Sequence, residues 1–114
     1  MKTIKELDEA LVEFEKDYWV APKTRKGKTR HILLHMTKML GKLGTVVEKW
    51  EHGHEAEEDI IAKEVVPDMF IYALMLAREE GVDLEKVFLD RLEMNKKKVG
   101  SWKEKGEVKE LPQL

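Results

Sequence analysis

The chain has 114 residues, which fits one domain with a core that needs no disulfide or metal to hold it together. Its 21 basic and 23 acidic residues leave a formal charge of -2, so no strong overall field directs it to nucleic acid or to an anionic membrane. The absence of cysteine excludes disulfides, thiolate catalysis and cysteine-ligated zinc, and with no signal peptide or membrane-spanning run in these residues we expect a cytoplasmic protein.

Only 3 prolines, together with abundant leucine, glutamate and lysine, predict an all-α protein. The first helix is expected to open at Thr3, because Thr3 and Glu6 have the spacing of a capping box, and to stop before Pro22. Residues 23–30 are basic and contain a glycine, which predicts a solvated loop. A phosphate-binding loop is the alternative there, although the glycine spacing of a P-loop is missing.

A second helix is predicted over residues 29–51, where apolar residues recur at helical spacing. A polar stripe that includes His31, His35, Lys38 and Lys42 runs beside them. The apolar stripe comprises Ile32, Leu33, Met36, Met39, Leu40, Leu43, Val46, Val47 and Trp50. Gly41 and Gly44 are each unfavourable inside a helix by about 1 kcal/mol relative to alanine, and we expect them to permit close approach of a neighbouring helix.

The stretch 63–98 organises the chain. After an acidic first turn at residues 55–59, a third helix should run to Glu80, and it is nearly all apolar between Val65 and Ala77. Such a helix needs cover on several sides, so we expect it at the centre of an antiparallel four-helix bundle, assembled as a homodimer. Pro67 predicts a kink or a late start, and Asp68 is a carboxylate in apolar surroundings that needs a partner.

Gly81 predicts a helix end, and Asp83 the N-cap of a fourth helix. We expect a single helical domain over residues 1–98 and a polar tail over 99–114. Several lysines surround Trp102 and suggest nucleic-acid binding as one possibility: Lys96, Lys97, Lys98, Lys103 and Lys105. Because interspersed glutamates dilute this charge and lysine is favoured at helix ends, a solvated helix terminus without a nucleic-acid partner is the prediction.

The segments PDMFIYALMLAREE and GVDLEKVFLDRLEMNKKK together resemble the closing half of the MazG-like all-α NTP pyrophosphatase superfamily. The likeness covers roughly residues 32–98. It implies a dimerising helical bundle, and family members cleave nucleoside triphosphates between the α and β phosphates with magnesium held by carboxylates.

The family signature is Glu-x-x-Glu on one helix and Glu-x-x-Asp on the next. The resemblance places these at residues 39–42 and 65–68, where Asp68 matches but Met39, Lys42 and Val65 replace the three glutamates. It therefore implies the fold together with a degenerate magnesium site. We expect Lys42, helped by Lys38, to take the place of the metal by neutralising Glu64 and Asp68, or to hold a phosphate.

Three alternatives remain open from the residues. A relocated magnesium site could use Glu48, Glu64 and Asp68, which would make the chain an active Mg²⁺-dependent NTP pyrophosphohydrolase that releases NMP and pyrophosphate. His31 and His35, one helical turn apart, have the spacing of two zinc ligands, and His52 and His54 add imidazoles in a turn. Aromatic side chains could stack on a nucleobase, namely Trp19, Trp50, Phe70 and Tyr72.

The predicted protein is thus a divergent member of this superfamily that binds a nucleotide or phosphate without efficient hydrolysis. No catalytic residue is assigned, and Mg²⁺ is expected as a cofactor only in the active alternative. No membrane partner is expected.

Overall fold

The computed structural model describes residues 1–57 and 59–107, and these residues form four α-helices and no strand. Helix α1 spans Ile4–Tyr18, α2 Arg25–Glu51, α3 Val66–Glu80 and α4 Leu84–Glu104. The predicted all-α class is confirmed. The chain divides into two compact units, Met1–Val82 with α1 to α3 and Asp83–Leu114 with α4. Glu58 and residues 108–114 of the predicted tail lie outside the described residues.

Local chemistry sets most helix ends where the sequence predicts them. The Glu6 amide donates to Thr3 Oγ1 at 3.1 Å, and the Thr3 amide donates to Glu6 Oε1 at 3.2 Å, so the capping box is present. Gly81 ends α3 in the left-handed conformation with φ of 65°, which a residue with a Cβ adopts at a cost. The Lys86 amide donates to the Asp83 carboxylate at 3.3 Å and opens α4.

Helix α2 begins four residues before its predicted start, so the solvated loop expected over residues 23–30 is wrong. Thr24 is the N-cap, and its hydroxyl accepts a hydrogen bond from the Gly27 amide at 3.0 Å. Glycine fits at position 27 because a Cβ there would lie 2.9 Å from the Pro22 Cβ. The basic residues led to the loop prediction, but Thr24 is a common type of N-cap, because Ser and Thr are favoured at the N-cap whatever charge follows.

A π-helical turn, Ile61–Val65, precedes α3. The Val66 amide donates to the Ile61 carbonyl, five residues back, and Pro67 follows in the first turn of α3. The wider turn avoids the clash that a proline ring makes with the carbonyl four residues before it. Residues 55–57 are not helical, so the acidic segment precedes the helix instead of forming its first turn.

The core of the first unit is a narrow line of apolar side chains on α2 packed against α3. The buried residues of α2 are Ile32, Met39 and Val46, spaced by seven, and α3 with its π-turn adds Val65, Leu74 and Met75, while α1 adds Leu11. A second line on α2, one residue further along at Leu33, Leu40 and Val47, stays exposed. Helix α3 is also partly uncovered, since Val66 is 59% exposed.

The prediction that Gly41 and Gly44 admit a close neighbour is wrong within this chain. A Cβ built at either position meets no atom within 4 Å among the described residues. Both glycines lie on the exposed side of α2, away from the buried line of Met39 and Val46.

Helix α4 continues six residues past Lys98, so the predicted tail boundary falls inside a helix. Its described side chains are exposed apart from half-buried Leu84. The four-helix bundle remains a prediction. Every helix in the described part of the chain falls short of the length and apolar content that crossing a bilayer requires.

Candidate functional site

Arg78 fastens α1 to α3. Its Nη1 donates to Glu15 Oε2 at 2.6 Å, and its Nη2 donates to Asp8 Oδ1 at 2.7 Å. Burial by itself lowers the pKa of Arg78, but the hydrogen bonds to the two carboxylates outweigh it and raise that pKa above its usual value. The guanidinium therefore stays charged, and its rigid fork of donors holds two carboxylates that lie two turns apart on one face of α1.

Ion pairs at both ends hold α2 antiparallel to α3 and its π-turn. At one end, Arg25 pairs with Glu80 and Lys28 Nζ lies 3.5 Å from Glu79 Oε1. At the other end, Lys42 Nζ lies 3.1 Å from Glu64 Oε1. These partly exposed pairs agree with the rotation of α2 that buries the line from Ile32 to Val46 and turns the polar stripe away from it.

Four rings from three parts of the chain lie one after another in contact, with the middle pair tilted by 59°, and we call this row the aromatic ladder: Trp19, His31, His35 and Tyr72. The centroid distances are 5.1 Å from Trp19 to His31, 4.3 Å from His31 to His35 and 4.9 Å from His35 to Tyr72. The first and last pairs are nearly parallel, with interplanar angles of 28° and 21°. These spacings are those of favourable aromatic contacts.

The aromatic ladder borders a cleft of about 250 Å³. Phe14 and Tyr18 of α1, whose rings lie 5.2 Å apart, form part of its wall. A cleft with several flat π-faces suits a planar ligand. The rings of the aromatic ladder contact one another, and Phe14 contacts Tyr18, so these side chains are held in place before a ligand binds.

The ladder lies in an unusual electrostatic environment. Burial, then His31 and Lys38, lower the pKa of His35, while Asp68 opposes them. Burial and the Asp68 carboxylate raise the pKa of Tyr72. At neutral pH, His35 is therefore a neutral ring and Tyr72 a neutral phenol, and both can act as hydrogen-bond partners without carrying charge.

Two of the three positions that the resemblance assigns to metal-binding glutamates are filled by apolar core residues. Met39 is 2% exposed and Val65 is 5% exposed, so neither place is open to a hydrated ion. Lys42 occupies the third position and directs its ammonium group to Glu64. This donor set does not fit magnesium, which requires several hard oxygen ligands around one point.

The predicted site residues do not converge on one centre. Glu48 and Lys38 are exposed on α2, and Asp68 is half-buried on α3. Within residues 1–57 and 59–107 no three His, Asp or Glu side chains are close enough to hold a metal ion together, so the relocated set of Glu48, Glu64 and Asp68 is not assembled in this chain. Lys38 and Asp68 form no ion pair with one another or with any other described residue.

The four histidines also lack the set of ligands that a metal ion needs within the described residues. His31 and His35 are adjacent, as their spacing predicts, but each ring stacks on a further aromatic side chain and the described residues bring no third metal ligand to them. His52 and His54 lie 6.2 Å apart in a separate turn. The zinc site that the spacing left open as an alternative has no set of three ligands in the described part of the chain.

The lysines near Trp102 belong to α4 or its cap. Lys98 Nζ lies 5.1 Å from the centre of the Trp102 ring, and Lys96 Nζ lies 3.3 Å from Glu93 Oε1. These local contacts are typical of a solvated helix.

Sequence patterns did not reveal Asp8, Glu15 and Arg78, because nothing in the spacing of charges shows which pairs meet across helices. They also did not reveal that Trp19 and Tyr72 extend the histidine pair. Comparison of the chain with family models, with curated proteins and with solved structures finds no match in any of the three.

Proposed function

We propose that this protein is a divergent MazG-like homodimer that binds a nucleotide or phosphate without efficient hydrolysis. The observation that carries the proposal is the exchange at the would-be metal site. The Lys42 ammonium is paired with Glu64 where the resemblance implies a metal ion, and buried apolar Met39 and Val65 occupy two of the implied ligand positions. Hydrolysis would need a metal and an attacking water aligned at this point, whereas binding needs only positive charge and a ring surface.

Both elements of a nucleotide site follow one another along α2. His35 belongs to the aromatic ladder, Lys38 lies three residues further on, and Lys42 four residues beyond that. At about 1.5 Å rise per residue the lysines lie roughly 4.5 and 10 Å along the axis from the ring. A base stacked in the cleft would thus have its phosphates beside Lys38, with Lys42 able to exchange Glu64 for phosphate.

The dimer is supported by apolar surface that one copy leaves uncovered. Leu33, Leu40 and Val47 form a straight exposed line on α2, spaced by seven residues like the buried line beside it. Contiguous exposed apolar surface of this kind marks interaction sites in soluble proteins. We expect the assembly to act in the cytoplasm.

Isothermal titration with inorganic pyrophosphate and with a non-hydrolysable dNTP, with and without magnesium, tests the binding proposal. We expect binding that does not require magnesium and weakens about tenfold or more, roughly 1.4 kcal/mol, in Lys38→Ala. Lys26→Ala, which removes an exposed lysine from the first turn of α2, is the matched control. Failure of the wild-type protein to bind either probe would refute the proposal.

A pyrophosphate-release assay on a panel of NTPs and dNTPs tests the active alternative. Magnesium-dependent turnover that disappears in Asp68→Asn would replace our proposal with a working hydrolase. We expect no turnover above background for the wild-type protein.

A further inference from the structure

A groove of about 570 Å³ lies between α1 and α3 and is open along its length. Leu7 and Phe14 form one edge and Phe70 the other, and these side chains are 38%, 56% and 40% exposed. Asp68 is the only charged residue among the described residues that line it. An apolar channel between two helices accepts the apolar face of a third helix.

The outer edge of this groove is acidic. Helix α1 carries six acidic and two basic residues, and Asp8 and Glu15 on its inner side are taken up by Arg78. Glu6 and Glu13, spaced by seven residues, and Asp17 lie on the opposite side of Leu7 and Phe14 and are exposed. Lys16 Nζ lies 3.2 Å from Glu13 Oε1, but the three acids outnumber this one base, so the edge carries net negative charge.

Helix α4 has the complementary pattern. One seam of α4 is apolar except for Asn95, and its residues are spaced alternately by four and three: Phe88, Leu92, Asn95, Val99 and Trp102. All five are exposed. Arg91 and Lys98, also seven residues apart, flank one side of this seam. Basic flanks beside an apolar seam match acidic flanks beside an apolar groove, as in helix pairs whose partner choice is set by charge.

We propose that α4 of a second copy of this chain lies in the α1–α3 groove, reciprocally in the two copies of a twofold dimer. The seam from Phe88 to Trp102 is about 21 Å long at 1.5 Å per residue, and α1 with its 15 residues is about as long. Asn95 is the one polar residue of the seam and Asp68 the one charge of the groove, so a single hydrogen bond between them fixes the register.

We assign the groove to a second copy because the proposed homodimer brings two grooves and two seams together, and reciprocal exchange pairs both sets without leaving an open end. Docking of α4 into the groove of its own chain would instead give a monomer. This inference rests on the homodimer of the proposed function, and it adds the α1–α3 groove and the α4 seam to the exposed line on α2 that supports that dimer. It adds a test that does not depend on nucleotide binding.

Charge exchange across the interface tests the proposal. Glu13→Lys/Asp17→Lys places bases on the groove edge, and Arg91→Glu/Lys98→Glu places acids on the flank of α4. By sedimentation at low salt we expect each variant alone to dimerise at least about tenfold more weakly, since like charges then oppose at both interfaces. Mixing the two variants restores a heterodimer, in which both interfaces again pair opposite charges.

Matched controls carry the same charge changes at exposed positions away from the proposed interface: Glu9→Lys with Glu57→Lys, and Lys5→Glu with Lys97→Glu. These should dimerise like the wild type, and circular dichroism checks that every variant is folded. A stable dimer that none of the changes weakens would overturn the α4 placement while leaving the homodimer intact. A monomeric wild-type protein would overturn both.

Discussion

The contact most open to a quantitative test is the pair of hydrogen bonds that Arg78 donates to Asp8 and Glu15, which we call the Arg78 clamp. In Arg78→Met the side chain keeps its length and apolar stem but loses both hydrogen bonds, which leaves Asp8 and Glu15 without their partner. We expect α1 to be held less firmly against α3 and the free energy of unfolding to fall.

The magnitude follows from the exposure of the three groups. The Arg78 and Asp8 side chains are each 33% exposed, and that of Glu15 is only 12% exposed. Fully exposed pairs contribute about 0.2–1 kcal/mol, whereas removing one partner of a buried pair costs about 3–5 kcal/mol. With solvent screening of the Asp8 side, the expected loss is about 1–3 kcal/mol for the whole clamp. Arg78→Lys should lose part of this, because one ammonium cannot reproduce the fork.

Urea unfolding at fixed protein concentration measures the loss, and hydrogen exchange locates it in α1. A double-mutant cycle with Glu15→Gln isolates the coupling energy. Arg25→Met is the control, because the Arg25–Glu80 pair is largely exposed and its loss should cost under about 1 kcal/mol. If Arg78→Met unfolds within about 0.5 kcal/mol of the wild type, or if the cycle shows no coupling, the clamp does not stabilise the fold.

Three further outcomes follow from single positions. Burial, together with nearby His31 and Lys38, holds the pKa of His35 below 6.5, so the contribution of the neutral ring to stability is complete above pH 6.5 and is lost as the pH falls through the lowered pKa. His35→Phe should therefore flatten the dependence of the urea midpoint on pH below 6.5, and an unchanged slope would contradict this. Gly41→Ala and Gly44→Ala should each stabilise α2 by roughly 0.5–1 kcal/mol in thermal unfolding, since the added methyl meets open space, whereas a loss of stability would reveal a close neighbour. Gly81→Ala should lower the free energy of unfolding by about 1–2 kcal/mol because its φ is positive, and a neutral effect would show that the turn relaxes.

The seven-residue repeat on α2 illustrates where prediction from the sequence stops. The spacing correctly predicts a helix, but it cannot tell that Met39 is buried while its neighbour Leu40 is exposed. Both residues are apolar and lie 100° apart on the helix, so local preference does not choose between them. The packing of α2 against α3 decides which line is buried, and the ion pairs of Lys28 and Lys42 agree with that rotation.

In the candidate site too, the sequence predicted some contacts and not others. The family register singled out Lys42, and the opposite charge one helix away singled out Glu64; their side chains lie 3.1 Å apart. The aromatic ladder was not predicted, because Trp19 and Tyr72 are 53 positions apart and meet only through the histidines between them. Contacts between helices depend on packing that no local pattern encodes.

The sequence by itself determined the helical class and the helix ends at Thr3, Gly81 and Asp83, because a cap is made by residues within four positions of one another. Only the tertiary structure decided which apolar line of α2 is buried, that Arg78 binds two carboxylates of α1 and that the four rings of the aromatic ladder meet near Asp68. Those outcomes depend on the rotation of whole helices about their axes, which is set by contacts between residues far apart in the chain.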